Sequence, residues 1–580
     1  MKRSLLTLAV LSLPLSFNAM ARTTVIPKAV QDLKFLKEIQ SKSILKNAKG
    51  TIKGSSLEAA DTPKNWFNLS PIQGVEGVGS ELTYDFLGLP QGEQIIVAVI
   101  DSGVDANHED LQGKMWINKG EIANDGIDND RNGYIDDIFG WNFIGAKDGG
   151  AKFVADPLNG NGIKMIEGDP NKQVGPDTLE VTRQLVRLEK KKASGAKLTK
   201  EEQAELESDS KAVNDAVATA QTTVTKYGKI KKNYDDASKV LKAAGVEVIS
   251  TDSVANFTPS NEDETKAKDA LNAFFQLGVT IARVERVLNY YQDQLSYYYN
   301  KEFNSRTIVG DNYDDLSEKN YGNNDVIGGD GEHGTHVAGI IAANRANSLG
   351  IKGVATNVKI MAVRCVPNGD ERDKDVANAI RYAVDNGARV INMSFGKDHS
   401  PFKKEAVDEA VKYAAKKGVL LVHAAGNSNQ DNNTARNFPN RKLGKNIFGK
   451  MKEANNWLEV GASSYQKNEN LPATFSNYGS KSVDLFAPGV DILSATPKNT
   501  YDTFSGTSMA SPATAGVAAL LLSYKPKMKA KDVRKLILEN ARDRKDIDVK
   551  LPGEETIVKF GTLSITGSVA DVFAAAQSLK

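Results

Sequence analysis

Downstream of residue 350, short apolar runs alternate with amphipathic stretches. Val358 to Val363, Ala388 to Met393, Val419 to Ala424 and Leu458 to Val460 read as strands, with Lys374 to Asn386 and Lys404 to Lys417 as helices between them. A helix between two strands supplies the crossover that parallel pairing needs, and strands apolar on both faces must be covered on both faces. Gln94 to Ile100 is a further run of this kind, with Asp101 at its C-terminal end. This pattern predicts an α/β chain with a mostly parallel sheet in a three-layer fold. Ligand and reacting groups then belong at the carboxyl edge of the strands. Met509 to Leu522 is rich in small residues and predicts a buried central helix.

The sequence has 580 residues, room for more than one domain or one large domain with insertions. A formal net charge of +1 gives no reason to expect nucleic acid or an anionic membrane as partner. Lys2-Arg3, the apolar run Leu5 to Leu15 and Ala19-Met20-Ala21 form an export signal over 1–21, cleaved after Ala21 and too short to serve comfortably as a membrane anchor. No later stretch is apolar enough to span a bilayer. The chain is therefore expected outside the cytoplasm, extracellular or periplasmic. Residues 22–62 are polar and lack an apolar period, which suggests a pro-segment or linker. Cys365 is the single cysteine, so no internal disulfide forms; it follows an apolar run and reads as a small buried hydrophobe rather than a functional thiol.

The region 146–323 has a different texture. Ala270, Phe274, Leu277, Ile281, Val284, Leu288, Tyr291, Leu295 and Tyr298 step by 4 and 3 without a break. Leu206, Val213, Val217, Ala220, Val224, Tyr227, Tyr234 and Leu241 follow the same register, and Thr199 to Glu202 is a capping-box start. Two such helices joined through Gly245 to Pro259 predict an antiparallel coiled-coil arm of roughly 60 Å. A hairpin returns its ends close together, so it inserts without disturbing a core. The arm either guards or positions a substrate, contacts a partner or another copy, or is an inert decoration.

Three motifs carry chemistry: Val99-Ile100-Asp101-Ser102-Gly103, Gly331-Glu332-His333-Gly334-Thr335-His336 and Gly506-Thr507-Ser508-Met509-Ala510. A serine hydroxyl needs a neighbouring base to act as a nucleophile, and a carboxylate to orient that base. Asp, His, Ser along the chain is the subtilisin order. The chain resembles the subtilisin-like serine peptidases, the subtilases, with a catalytic domain over 63–580 interrupted by the 146–323 insertion. The insertion lies outside that resemblance. The resemblance implies Asp101, His333 and Ser508 as the triad. It implies Asn427, in His423-Ala424-Ala425-Gly426-Asn427, as an oxyanion donor beside the Ser508 N–H, with Thr507 as auxiliary. Asn392-Met393-Ser394-Phe395-Gly396 matches the family's substrate-pairing edge, with main-chain bonds from Ser394 and Gly396; Phe395 either shapes a pocket or is core. His336 reads as a core residue one turn from the base.

An oxygen-rich loop precedes the insertion. Asp128, Asp130, Asn132 and Gly133 have the spacing of the first half of an EF-hand loop, with a carbonyl from Tyr134. The terminal bidentate Glu is missing, because Phe139 stands there; Asp136 or Asp137 compensates. Hard oxygen donors outside the cell favour Ca²⁺ over transition metals; the alternative is a solvated acidic turn. The family resemblance implies a second Ca²⁺ site through Asp110 and Asn347. The function expected is an exported serine endopeptidase acting on proteins or peptides through an acyl-enzyme; the alternative is an inactive subtilase frame that binds a partner through the arm.

Overall fold

The computed structural model describes residues 63–579 apart from 92, 159–160, 277, 279, 400–401 and 446–450, together with the strand pair 52–53. The expected signal at 1–21, and most of the 22–62 segment, lie outside the described residues. The chain divides into two compact units, one holding residues 222–290 and the other residues 45–221 with 291–580.

The larger unit is built on a nine-stranded sheet among the described residues. Its strands are β1 (Ile95–Asp101), β2 (Gly140–Asn142), β3 (Val358–Arg364), β4 (Val390–Met393), β5 (Leu420–Ala424), β6 (Trp457–Ser463), β7 (Leu485–Pro488), β8 (Arg542–Asp543) and β9 (Ser568–Val569). Their order across the sheet is β8-β9-β7-β6-β5-β4-β1-β3-β2. Every neighbouring pair is parallel except the edge pair β8 and β9. Strands β4, β5 and β6 are buried throughout, as their unbroken apolar runs require. The α/β expectation holds, and the strands and helices read downstream of residue 350 fall within a few residues of the observed bounds. Ile52–Lys53 adds a short antiparallel strand to Thr500–Ser505.

The segment 146–323 contributes helices α1 (Glu180–Ala193) and α2 (Lys200–Ala243), the second of 44 residues. Thr199 and Glu202 start α2 by exchanging hydrogen bonds, Thr199 N–H to Glu202 Oε2 at 2.9 Å and Glu202 N–H to Thr199 Oγ1 at 3.1 Å, which is the expected capping box. The stretch is not helical throughout. Lys152–Ala155 and Ile163–Ile166 form an antiparallel hairpin before the first helix.

The unit of residues 222–290 holds the second half of α2, α3 (Thr251–Asn256), α4 (Glu262–Gln276) and most of α5 (Ile281–Asp293). Tyr227 and Ile230 bury against Phe274, Val284 and Leu288, and Leu241 against Val254, Ala267 and Leu271. Two corrections apply to the sequence reading. The register that ran unbroken from Ala270 to Tyr298 is interrupted, because α4 stops before Gly278, which sits at φ +65°. Thr280 then caps α5 by accepting from the Arg283 and Val284 N–H groups. Ala270 is exposed, and the inward positions on α4 are Ala267, Leu271 and Phe274. Beyond α5 the helix widens into a π turn at Gln294–Tyr298.

The remaining helices that position the site are α6 (Glu332–Ala342), α7 (Asp373–Asp385), α8 (Lys404–Lys417) and α9 (Thr507–Tyr524). Every residue of α9 except its last is buried, so the small-residue run is a central helix as expected. No helix of the described residues is long and apolar enough to cross a membrane. Cys365 is fully buried, and burial raises its thiol pKa well above the ordinary value.

Candidate active site

Asp101 ends β1, where the strand register sets it beside Arg364 of β3. Its side chain is 2% exposed, and Oδ1 accepts from the Ser102 N–H at 2.7 Å and from His333 Nδ1 at 2.7 Å. Asp101 Oδ2 is buried without a protein partner. His333 stands in the first turn of α6. Thr335 locks that turn: its hydroxyl donates to the Gly331 carbonyl at 2.7 Å and accepts from the Asp105 N–H at 2.8 Å. His336 is fully buried, stacks on Phe504 with ring centroids 4.2 Å apart, and donates through Nε2 toward the Ile492 carbonyl at 3.0 Å. Burial pushes its pKa down to about 3, so it is a neutral core residue. The His333 imidazole is different. Burial disfavours its charged form, but the Asp101 carboxylate, with Asp330 and Glu332 nearby, outweighs that and leaves its pKa above the ordinary histidine value.

Ser508 is the second residue of α9, where backbone N–H groups have no partner within the helix. The tip of α9 is stapled to the segment after β4. Ser508 Oγ donates to the Ser394 carbonyl at 3.2 Å, and Ser394 Oγ donates to the Ser508 carbonyl at 2.9 Å. Asn392 holds both ends, donating to Ser394 Oγ at 2.9 Å and accepting from Ser511 Oγ at 2.8 Å. Asn427 follows β5, and its Oδ1 takes two bonds from Thr507, from the N–H at 2.8 Å and from the hydroxyl at 2.9 Å. With the carbonyl side held there, the amide nitrogen is the end left to meet a ligand.

Asp101, His333, Ser508, Asn427 and the Ser394–Gly396 segment line one cleft of about 480 Å³. Phe395 is 7% exposed and meets His423 edge-on, so it is both packed and part of the cleft wall. The arrangement has a base oriented by a carboxylate, a hydroxyl at a helix N-terminus and an amide donor facing one space. Such a set suits nucleophilic attack on a carbonyl. Leu179, Val181, Ala212 and Tyr299 also line this cleft. Sequence reading did not place them there, since nothing in a helical period tells which core it meets.

In the acidic loop, carboxylate oxygens of Glu121, Asp128 and Asp130 lie within 4.8 Å of one another. Glu121 was not anticipated, because it precedes the motif. Asp128 also accepts from the Asn132 N–H at 3.0 Å, and Gly133 takes the left-handed φ of +98° expected of the sharp turn. Asn132 donates its amide to Asp130 at 3.2 Å and to Asp137 at 3.1 Å. Asp136 has one buried oxygen without a protein partner. Asp137 is committed elsewhere, to the Tyr382 hydroxyl at 2.6 Å and the Asn118 amide at 2.6 Å. The Tyr134 ring packs edge-on against Trp141 and Tyr382, leaving only its carbonyl for the role expected of it. Asp110 and Asn347 do meet: the Asn347 amide nitrogen donates to Asp110 Oδ1 at 2.8 Å, and the Ile351 N–H donates to Oδ2 at 3.1 Å.

The model of the subtilase family matches residues 92–556, and the chain belongs to that family, whose members are serine-type endopeptidases. Among curated relatives it is 40% identical over 239 residues to a thermophilic serine proteinase of Bacillus sp. (strain AK1), covering 41% of this chain and 52% of that one. It is 40% identical over 245 residues to thermitase of Thermoactinomyces vulgaris, covering 41% of this chain and 79% of the relative. Subtilisin DY of Bacillus licheniformis is 37% identical over 215 residues, covering 37% and 72%. The chain thus spans about half the length of the first of these. A solved structure titled as proteases from Pseudoalteromonas arctica PAMC 21717 is 28% identical, with a TM-score of 0.34 over 43% of this chain and 71% of that one.

Proposed function

We propose that this chain is an exported serine endopeptidase that hydrolyses peptide bonds of protein substrates through an acyl-enzyme. Ser508 Oγ attacks the scissile carbonyl carbon while its proton passes to His333 Nε2. Asp101 holds the Nδ1–H tautomer and stabilises the imidazolium. The oxyanion receives hydrogen bonds from the Ser508 N–H and the Asn427 amide. The tetrahedral species collapses, the C–N bond breaks, and the leaving amine takes the proton from His333. Water then enters, gives its proton to His333 and attacks the acyl ester, and Ser508 is released reprotonated. The substrate pairs as an added strand with the main chain of Ser394 and Gly396. The residues 1–21 direct export, and 22–62 are removed or serve as a linker.

The single observation that carries this reading is the 2.7 Å bond between His333 Nδ1 and Asp101 within the cleft that also holds Ser508. Ser508→Ala is expected to abolish casein hydrolysis, and a serine-directed phosphonyl reagent is expected to label Ser508 alone. Hydrolysis that persisted in the variant would end the proposal.

Calcium fits the acidic loop. Glu121, Asp128 and Asp130 offer converging hard oxygen donors, with Asn132, Asp136 and the Tyr134 carbonyl nearby and one Asp136 oxygen otherwise orphaned. Bound there, the ion would neutralise the carboxylates and hold the loop. A second ion at Asp110 and Asn347 requires the Asn347 amide to turn its oxygen toward the site.

A further inference from the structure

The cleft that holds Ser508 and His333 has a wall that no strand of the sheet provides. Leu179 and Val181 at the start of α1, Ala212 on α2 and Tyr299 just past the π turn line it together with the Ser394–Gly396 segment. All four come from the long segment between Asp101 and His333. We infer that the base of this segment is a specificity element, forming an apolar subsite for a substrate side chain on the N-terminal side of the scissile bond. The inference rests on the protease reading above.

The position follows from the pairing edge. Ser394 and Ser508 exchange hydrogen bonds, so the reacting end of a bound substrate lies there. Passing from Ser394 through Gly396 to Lys397 leads away from Ser508 and toward the insertion. A strand laid antiparallel on this edge carries its upstream residues in the same direction. At about 3.3 Å per residue, the second to fourth residues upstream reach roughly 7–13 Å along this edge, and these are the positions to probe.

The wall is fixed to that edge by buried charge. Lys397, which follows Gly396, donates from Nζ to Glu180 of α1 at 3.0 Å, to Asp373 at 2.8 Å and to the Glu371 carbonyl at 2.8 Å. Its side chain is 2% exposed. The Glu180 N–H donates to Asp370 at 2.8 Å, and Arg372 grips Asp177 with bonds of 2.7 and 2.9 Å. On the other side, His399 lies 3.2 Å from Asp209, one turn before Ala212 on α2. Buried ion networks are a poor source of net stability, because desolvation offsets the attraction. What they confer is a unique geometry, and a wall must be held still to discriminate between side chains.

The chemistry of the wall sets the ligand. Leu179 and Val181 offer hydrocarbon, Tyr299 a ring, and Phe395 faces the same cleft. Val181 and Phe395 are 8% and 7% exposed, so both are set in the wall rather than flexible at its rim. Asp370, Lys397, Asp398 and His399 also line the cleft, but against the hydrocarbon of Leu179 and Val181 a charged substrate side chain loses hydration, whereas an apolar one gains.

The test uses the full exported chain and peptide p-nitroanilides of four residues, the residue at the scissile bond fixed, with Phe or Gly placed in turn at the second, third and fourth positions upstream. At one of these positions kcat/KM is expected to favour Phe by about tenfold or more. Leu179→Ser combined with Tyr299→Ser should bring that ratio to within about threefold. Leu179→Trp, which fills the space, should lower the Phe peptide more than the Gly peptide, and it carries the test if the serine variant does not fold. An unchanged Phe-to-Gly ratio in a folded variant overturns the inference. Binding of the same peptides to the Ser508→Ala chain is read in parallel. A Phe preference there that disappears in the Leu179 and Tyr299 variants supports the subsite without turnover, and equal binding of both peptides overturns it. Binding with that preference but no hydrolysis by the unmutated chain would overturn only the protease reading.

Discussion

Gly334 lies against the carbonyl of Gly103 so closely that a Cβ at 334 would stand 2.1 Å from that oxygen. The helix bearing His333 can therefore approach the strand end bearing Asp101 only with glycine at this position. Gly334→Ala must push α6 away from β1. The expected result is a loss of about 1–3 kcal/mol of stability, as for other overpacked sites. Activity should fall by well over tenfold, because a small displacement of the imidazole is costly. Urea unfolding and kcat on one peptide substrate measure the two effects separately.

Asn427 is aimed by Thr507, which bonds the amide oxygen through both its backbone and its hydroxyl. Asn427→Ala should lower kcat by about 10²–10³ with little change in KM, the magnitude being that of subtilisin, where loss of an oxyanion-hole asparagine has this effect. Thr507→Val keeps the backbone bond and removes the hydroxyl, so a smaller loss of about tenfold is expected, again in kcat. A change confined to KM in either variant would contradict the oxyanion role.

In the proposed mechanism His333 must be neutral to accept the serine proton. Its pKa is raised above the usual 6.5, so the neutral fraction falls earlier on acidification than for a free imidazole. Activity should therefore rise with pH through a midpoint above 6.5 and level off beyond it. Asp101→Asn removes the main charge that raises the value, and should shift the midpoint of its residual activity downward. A kcat/KM profile from pH 5 to 9 reads both midpoints.

Chelation should weaken the fold if calcium occupies the acidic loop. An ion present at about 100 times its Kd stabilises by about 2.7 kcal/mol. For a chain of this size, transfer to EDTA is then expected to lower Tm by about 2–3 °C. Glu121→Gln should reduce that difference while leaving the Tm in EDTA nearly unchanged. Differential scanning calorimetry with and without calcium gives all four values.

Lys397→Met should be strongly destabilising. It leaves Glu180 and Asp373 buried with one cation fewer, and breaking a buried pair costs about 3–5 kcal/mol. Glu180→Gln preserves the shape and should cost less. Thermal unfolding of the two variants orders the effects.

Much of the sheet was legible because a buried parallel strand carries its own signature. The run from Gln94 to Ile100 needed no tertiary information to be read as β1, and α9 announced itself through small residues that only a central helix tolerates. The paired geometry of Asp101 and His333 was foreshadowed by motif order, since each residue of the His333 to His336 run has a separate structural task. The segment 146–323 was harder. A 4 and 3 step identifies a helical face, yet Gly278 and Thr280, a left-handed stop and a cap, divided the helix that Ala270 to Tyr298 was read to form. Ala270 could not be told from Ala267 and Leu271 as an inward residue, because on a helix rich in alanine the period alone does not choose the face. Glu121 escaped notice for another reason: its carboxylate comes to the acidic loop by chain folding, outside any spacing rule. Leu179 and Tyr299 are 120 positions apart in sequence, and their meeting on one cleft wall is a property of packing alone.

Cys365 sits wholly inside the sheet core, and it is the chain's only sulfhydryl. The architecture therefore contains no disulfide for an oxidant to make or a reductant to cleave within one molecule. Its resistance to unfolding should be the same in glutathione buffers of any poise. Cohesion rests on non-covalent packing and hydrogen bonding together with any cation held by the acidic loop, so the composition of dissolved salts, rather than redox state, is the environmental variable to which this fold answers.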